Sequence, residues 1–129
     1  MARESILVVD DNPSNVKLVK FLLEKRGYDV RVAANADQAL AELGRHNPDL
    51  ILMDLQLPGL DGLELTRRIK AEPSTNAIPI VAVTAYAMKG DEARALAAGC
   101  EGYVTKPIDT RSFPEIVRAH LDRAAREGN

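Results

Sequence analysis

Asp49-Leu50-Ile51-Leu52-Met53-Asp54-Leu55-Gln56-Leu57-Pro58-Gly59 is the stretch on which the reading of this chain turns. Leu50 to Met53 are apolar without alternation, the pattern of a strand covered on both faces. The run ends on a carboxylate, Asp54, and the Pro58-Gly59 turn then takes the chain out of the sheet. A carboxylate at the C-terminal tip of a central parallel strand stands where open α/β sheets bind their ligands.

Outward from this stretch the same alternation of strand and helix repeats. Ile6 to Val9 is a β-branched apolar run ending on Asp10-Asp11. Asn12-Pro13 reads as a helix cap with proline in the first turn, and the helix runs to about Arg26 on a stripe of Val16, Leu18, Val19, Leu22 and Leu23. Gly27 closes it. Val30 to Ala33 alternates, which predicts an edge strand. Asn35 with Gln38 forms the pattern of a capping box, and Ala36, Ala39, Leu40 and Leu43 are expected to face inward. Asp61 with Glu64 caps a third helix, to about Ala71. Pro79 precedes a second continuous run, Ile80 to Val83, which ends on Thr84. A fourth helix begins near Gly90-Asp91-Glu92 and stops at Gly99. It is rich in alanine, with Leu96 its one large apolar residue, so it is weakly held. Gly102 to Thr105 is the last strand, followed by Lys106-Pro107. A fifth helix starts near Asp109 or Ser112 and turns Phe113, Ile116, Val117, His120 and Leu121 inward. The predicted fold is α/β: a flavodoxin-like (βα)5 three-layer sandwich with a parallel sheet in the order 2-1-3-4-5.

The totals agree with one domain over residues 1–129, its core spanning about residues 4–125. Lys and Arg number 17 against 19 Asp and Glu, a formal net charge of -2. Without a basic block, this argues against nucleic acid or an anionic membrane as the partner. The single cysteine, Cys100, allows no internal disulfide and reads as a small packed residue. There is no signal-peptide pattern and no apolar run of membrane-spanning length, so a cytoplasmic protein is expected.

In the 2-1-3-4-5 order the tips of strands 1 and 3 flank the point where the winding reverses, so Asp10, Asp11 and Asp54 should converge, with Thr84 and Lys106 at the next two tips. Clustered carboxylates repel one another and call for a cation. Hard oxygen ligands without histidine or cysteine favour Mg²⁺, with Mn²⁺ as a substitute, over zinc. Phosphoryl transfer needs in-line positioning and neutralised phosphoryl oxygens. A metal and Lys106 supply positive charge, Thr84 supplies a hydroxyl donor, and Asp54, the most central acid, is the natural nucleophile. Taken singly, Asp10-Asp11 is a turn and helix cap, Asp54 a loop cap, Thr84 a strand-end hydroxyl and Lys106 a solvated charge. Their occurrence together at four strand tips, with the edge strand left empty, carries the functional reading.

With these residues assembled, the chain resembles a response-regulator receiver domain over nearly its whole length. Ile6-Leu7-Val8-Val9-Asp10-Asp11-Asn12, Pro48 to Asp54, Leu57-Pro58-Gly59-Leu60-Asp61-Gly62, Val83-Thr84-Ala85 and Tyr103 to Pro107 match that family's landmarks. Val83 to Glu92 is similar to the DivK-like single-domain regulators. The resemblance implies that Asp54 is the phosphoacceptor and takes its phosphoryl group from a sensor histidine kinase or a histidine phosphotransfer protein. It implies Mg²⁺ held by Asp11, Asp54 and the main-chain carbonyl of Gln56, with Asp10 acting through water. Thr84, the Ala85 amide and Lys106 would bind the phosphoryl oxygens, and Lys106-Pro107 would be a cis peptide. Thr84 and Tyr103 would form a switch that alters the partner surface made by helix 4, strand 5 and helix 5. Such a protein signals rather than turning over a substrate: it catalyses its own phosphoryl transfer and slow dephosphorylation. Gln56 and Tyr86 should border the phosphoryl group and tune its lifetime. No output domain is expected, so output should pass through protein contacts.

Three other readings fit less well. A haloacid-dehalogenase-type phosphatase would carry a second aspartate two residues after the nucleophile, where this chain has Gln56. A dinucleotide-binding protein would need a glycine-rich first turn, where Asp10-Asp11-Asn12 stands. An unphosphorylated pseudo-receiver would not need all five site residues.

Overall fold

Apolar strand residues that alternate between two sides build a sheet with a core on each face, and the computed structural model, which describes residues 3–56, 61–85 and 90–127, has that form. The elements run β1 (Ser5–Val9), α1 (Pro13–Lys25), β2 (Asp29–Ala33), α2 (Ala36–Arg45), β3 (Leu50–Asp54), α3 (Gly62–Ala71), β4 (Ile80–Thr84), α4 (Asp91–Ala98), β5 (Gly102–Thr105) and α5 (Phe113–Glu127). All five strands are parallel, in the order β2-β1-β3-β4-β5. The Pro58-Gly59 turn and Tyr86 lie outside the described residues.

Every residue of β1, β3 and β4 is buried, whereas β2 alternates into solvent. Ile6, Val8, Leu50, Leu52, Val81 and Val83 pack against Val19 and Leu23 of α1 and Phe113, Val117 and Leu121 of α5. Leu7, Val9, Ile51, Met53, Ile80 and Ala82 face the other way, against α2, α3 and α4. Each of the larger ones, the valines, leucines, isoleucines, Met53 and Phe113, stabilises the fold by about 1.5–3 kcal/mol when fully buried. The three layers follow directly from this alternation.

Local chemistry sets the helix starts. Asn12 caps α1 by accepting from Asn15 N at 3.1 Å, with Pro13 at the first position, where no N–H is missed. Asn35 caps α2 by accepting from Gln38 N at 2.9 Å, and Gln38 Oε1 accepts in return from Ala34 N at 2.8 Å, one residue before the cap. Asp61 caps α3 through Glu64 N at 2.8 Å. At α5, Asp109 accepts from the Arg111 and Ser112 amides, so the turn is closed by Asp109 and the helix begins only at Phe113.

One side chain departs from the expected packing. The buried line of α2 runs through Ala36, Ala39 and Leu43, and Leu40 falls to its flank, 39% exposed. In α4 only Ala95 and Ala98 are buried among the described side chains, and Leu96 turns outward, 49% exposed. The fourth helix is therefore held by methyl groups. Its N-terminus, at Gly90, has no side-chain cap. Cys100 is buried beside Thr66, and burial pushes its thiol up to about 11.

Candidate functional site

The strand register carries the acids to one edge. Val9 pairs with Met53, so Asp10 and Asp54 emerge side by side at the tips of β1 and β3. Asp54 in turn pairs with Val83, Leu55 N donates to Val83 O at 3.3 Å, and Thr84 pairs with Thr105. Lys106 N donates to Thr84 O at 2.7 Å, which ties the lysine's main chain to the tip of β4. The Lys106–Pro107 peptide bond is cis.

Asp10 and Asp54 are both 3% exposed, and Asp11 is exposed at the rim. Lys106 Nζ bridges the two buried acids, 3.4 Å from Asp10 Oδ2 and 3.5 Å from Asp54 Oδ2. Asp54 Oδ1 accepts from Gln56 N at 3.0 Å. Burial pushes the Asp54 carboxyl above its ordinary range; the Gln56 amide and Lys106 pull it down, and the neighbouring Asp10 charge pushes it up again. Asp10 Oδ1 accepts from Asn12 N at 2.9 Å, and Asp10 Oδ2 accepts from the Asn15 carboxamide.

Asp10, Asp11 and Asp54 each offer one carboxylate oxygen, and these atoms all lie within 4.8 Å of one another. Among the described residues this is the only such group of three or more. A set of hard oxygen donors, two of them buried and short of neutralising charge, fits a divalent cation such as Mg²⁺.

Thr84 is buried at the end of β4, two residues beyond Ala82, and so faces the α3–α4 side of the sheet. Tyr103, half-buried on β5, packs on that same side. Ala85 follows Thr84 and is exposed.

Two residues of the site were not legible as such. Asn15 reads in the sequence as a polar residue in the first turn of a helix; its reach to Asp10 depends on how Asn12 and Pro13 start that turn. Gly62 reads as the neighbour of a cap, yet its N–H donates to Leu55 O at 3.2 Å and its Cα lies against the main chain of Asp54. The Asp-Gly pair at the start of α3 was the available signal.

Carboxylates and a lysine gathered at the switch point of a doubly wound 2-1-3-4-5 sheet define a receiver-type site. The chain belongs to the response regulator receiver domain family, whose model matches residues 6–118. It is 45% identical over 121 residues to the polar-differentiation response regulator DivK of Brucella anthropi, covering 94% of this chain and 98% of that one, and 44% identical to the DivK of Brucella melitensis. Among solved structures, a CheY-like receiver domain protein from Methanospirillum hungatei superposes with a TM-score of 0.90 at 31% identity, over 98% of this chain and 99% of that one. The receiver domain of the sensor histidine kinase PA1611 from Pseudomonas aeruginosa gives 0.85 at 37% identity, over 94% and 99%, and is described with a magnesium ion coordinated in its active-site cleft. The chain is thus a receiver domain of two-component signalling, a class that typically binds Mg²⁺ and works with kinases or phosphotransfer proteins.

Proposed function

We propose that Asp54 is the phosphoacceptor of a phosphorelay. An Asp54 carboxylate oxygen attacks the phosphorus of a phosphohistidine on a sensor kinase or phosphotransfer protein; the N–P bond breaks, and the imidazole leaves with the electron pair and takes up a proton. The observation that carries this reading is the Lys106 ammonium between Asp10 and Asp54: a buried carboxylate with a fixed cation beside it is prepared for an incoming anionic group. Mg²⁺, or Mn²⁺ in its place, held by Asp11, Asp54 and the Gln56 carbonyl with Asp10 acting through water, neutralises phosphoryl charge when bound. Thr84, the Ala85 amide and Lys106 take the phosphoryl oxygens. Gln56 and Tyr86 control how readily water reaches the phosphorus.

Output passes through a switch of Thr84 and Tyr103. The hydroxyl moves toward the phosphoryl group, the ring turns inward, and the surface of α4, β5 and α5 changes its preference among protein partners in the cytoplasm. Their shared face of the sheet and the loosely held α4 support this.

Incubation with acetyl phosphate and Mg²⁺ tests the reading. Intact-mass measurement should show one added phosphoryl group that Asp54→Asn abolishes. Continuous turnover would point to a phosphatase, and no adduct to a pseudo-receiver; either result overturns the proposal.

A further inference from the structure

Both carboxylate oxygens of Asp10 accept hydrogen bonds. Its Oδ1 is taken by the Asn12 amide at 2.9 Å, and its Oδ2 is shared between the Asn15 carboxamide and Lys106 Nζ at 3.4 Å. Lys106 stands almost equally far from Asp54, at 3.5 Å. An ammonium between two buried carboxylates would ordinarily collapse onto the one with fewer donors, because a charged hydrogen bond in a low-dielectric site is strong. Besides Lys106, Asp54 has one donor, the Gln56 amide, so Asp10 leaves the ammonium available to Asp54 only where it has a second donor of its own. Asn15 supplies it.

We propose that Asn15 is a positioning residue of this site: its carboxamide holds the Asp10 carboxylate in place, so that Lys106 remains available to Asp54 and the three acids keep the convergence that a divalent cation needs. The inference rests on the reading of the acid cluster as a Mg²⁺ site. Asn15 does not touch the reacting atoms and acts only through Asp10. It sits in the first turn of α1, with its own N–H capped by Asn12 Oδ1 at 3.1 Å. That main-chain bond survives a change of side chain, so the helix start does not depend on the carboxamide. Asn15 also lines a small cavity with Val8, Val19, Leu52, Asp10 and Asp54.

The test is the Mg²⁺ dissociation constant of the unphosphorylated full chain, measured by titration calorimetry for the wild type, Asn15→Leu, Asn15→Ala and Asn15→Gln, with thermal melting in parallel. Loss of a group that orients a metal-binding carboxylate weakens binding roughly tenfold. Asn15→Leu and Asn15→Ala should each show that loss, and both should melt somewhat lower in chelator, because the buried Asp10 carboxylate loses a donor. Asn15→Gln keeps the carboxamide and should recover most of the affinity, which a merely space-filling role would not produce. Asn15→Ala keeps the test open should the leucine variant fold poorly. Wild-type affinity in both apolar variants, or an Asn15→Gln as weak as Asn15→Leu, overturns the inference. The acetyl phosphate experiment separates it from the functional reading: a wild type that binds Mg²⁺ but takes no phosphoryl group sinks only that reading, and a wild type that binds no Mg²⁺ sinks both.

Discussion

Gly62 lies so close to the main chain of Asp54 that a Cβ on it would stand 2.4 Å from the Asp54 carbonyl oxygen and 2.7 Å from Leu55 Cα. The first turn of α3 thus rests directly on the strand tip that carries the proposed phosphoacceptor. Its contacts there are backbone on backbone, so no rotamer change can make room.

Gly62→Ala is therefore expected to shift either α3 or the tip of β3. Overpacking of this kind costs about 1–3 kcal/mol, and alanine's advantage over glycine in a helix returns about 0.5–1 kcal/mol. The net expectation is a modest loss of stability together with a clearly slower reaction with acetyl phosphate, since Asp54 moves with its backbone. Urea denaturation and adduct formation read the two effects. A variant as stable and as reactive as the wild type would show that the close approach does not constrain Asp54.

Asp54 itself should cost stability. Its carboxyl is raised above the ordinary range, chiefly by burial. The folded state then holds the proton more tightly than the unfolded chain, so folding is favoured at low pH. That contribution is complete below the unfolded carboxylate value of about 3.9 and is lost as the pH rises through the raised folded value. Asp54→Asn has no charge to bury. In chelator at pH 7 it should melt higher than the wild type, and the gap should close as the pH falls toward 4. Melting curves across that range decide it; a variant less stable than the wild type at neutral pH contradicts the sign.

Much of this was legible in the sequence for a definite reason. Strands buried on both faces leave uninterrupted apolar runs, and three of those runs end on Asp10, Asp54 and Thr84, so fold and site were written in the same residues. The rest depends on rotation and close approach. Leu40 and Leu96 carry the right chemistry for a core, but the helices are turned by what Ala36, Ala39 and Ala95 need to bury. Asn15 and Gly62 matter because of where their elements begin, to within a single residue, and periodicity alone does not fix that.

Lys106 competes with any metal for the same acids. An ammonium 3.5 Å from Asp54 repels a divalent cation bound there, and charge interactions at such distances amount to about 1–4 kcal/mol per unit charge pair, depending on screening. Lys106→Ala should accordingly bind Mg²⁺ several-fold more tightly while reacting more slowly with acetyl phosphate, because the phosphoryl oxygens lose their fixed cation. Calorimetry and adduct kinetics on one preparation would reveal the opposed effects. Weaker Mg²⁺ binding in the variant would mean that Lys106 organises the acids more than it repels the metal.

Uneven burial should also divide the helices by how readily they open. Leu65 of α3 is fully buried, and Leu65→Ala should cost about 2–5 kcal/mol. Leu96 of α4 faces solvent, and Leu96→Ala should stay within about 0.5 kcal/mol of the wild type. A helix anchored through Ala95 and Ala98, with no side-chain cap at Gly90, has little to lose on opening. Amides of α4 should therefore exchange with deuterium faster than those of α3, and acetyl phosphate with Mg²⁺ should slow them if phosphorylation draws Thr84 and the neighbouring chain inward. Equal protection of α3 and α4 in the unmodified protein would remove the physical basis for making α4 the moving part of the output surface.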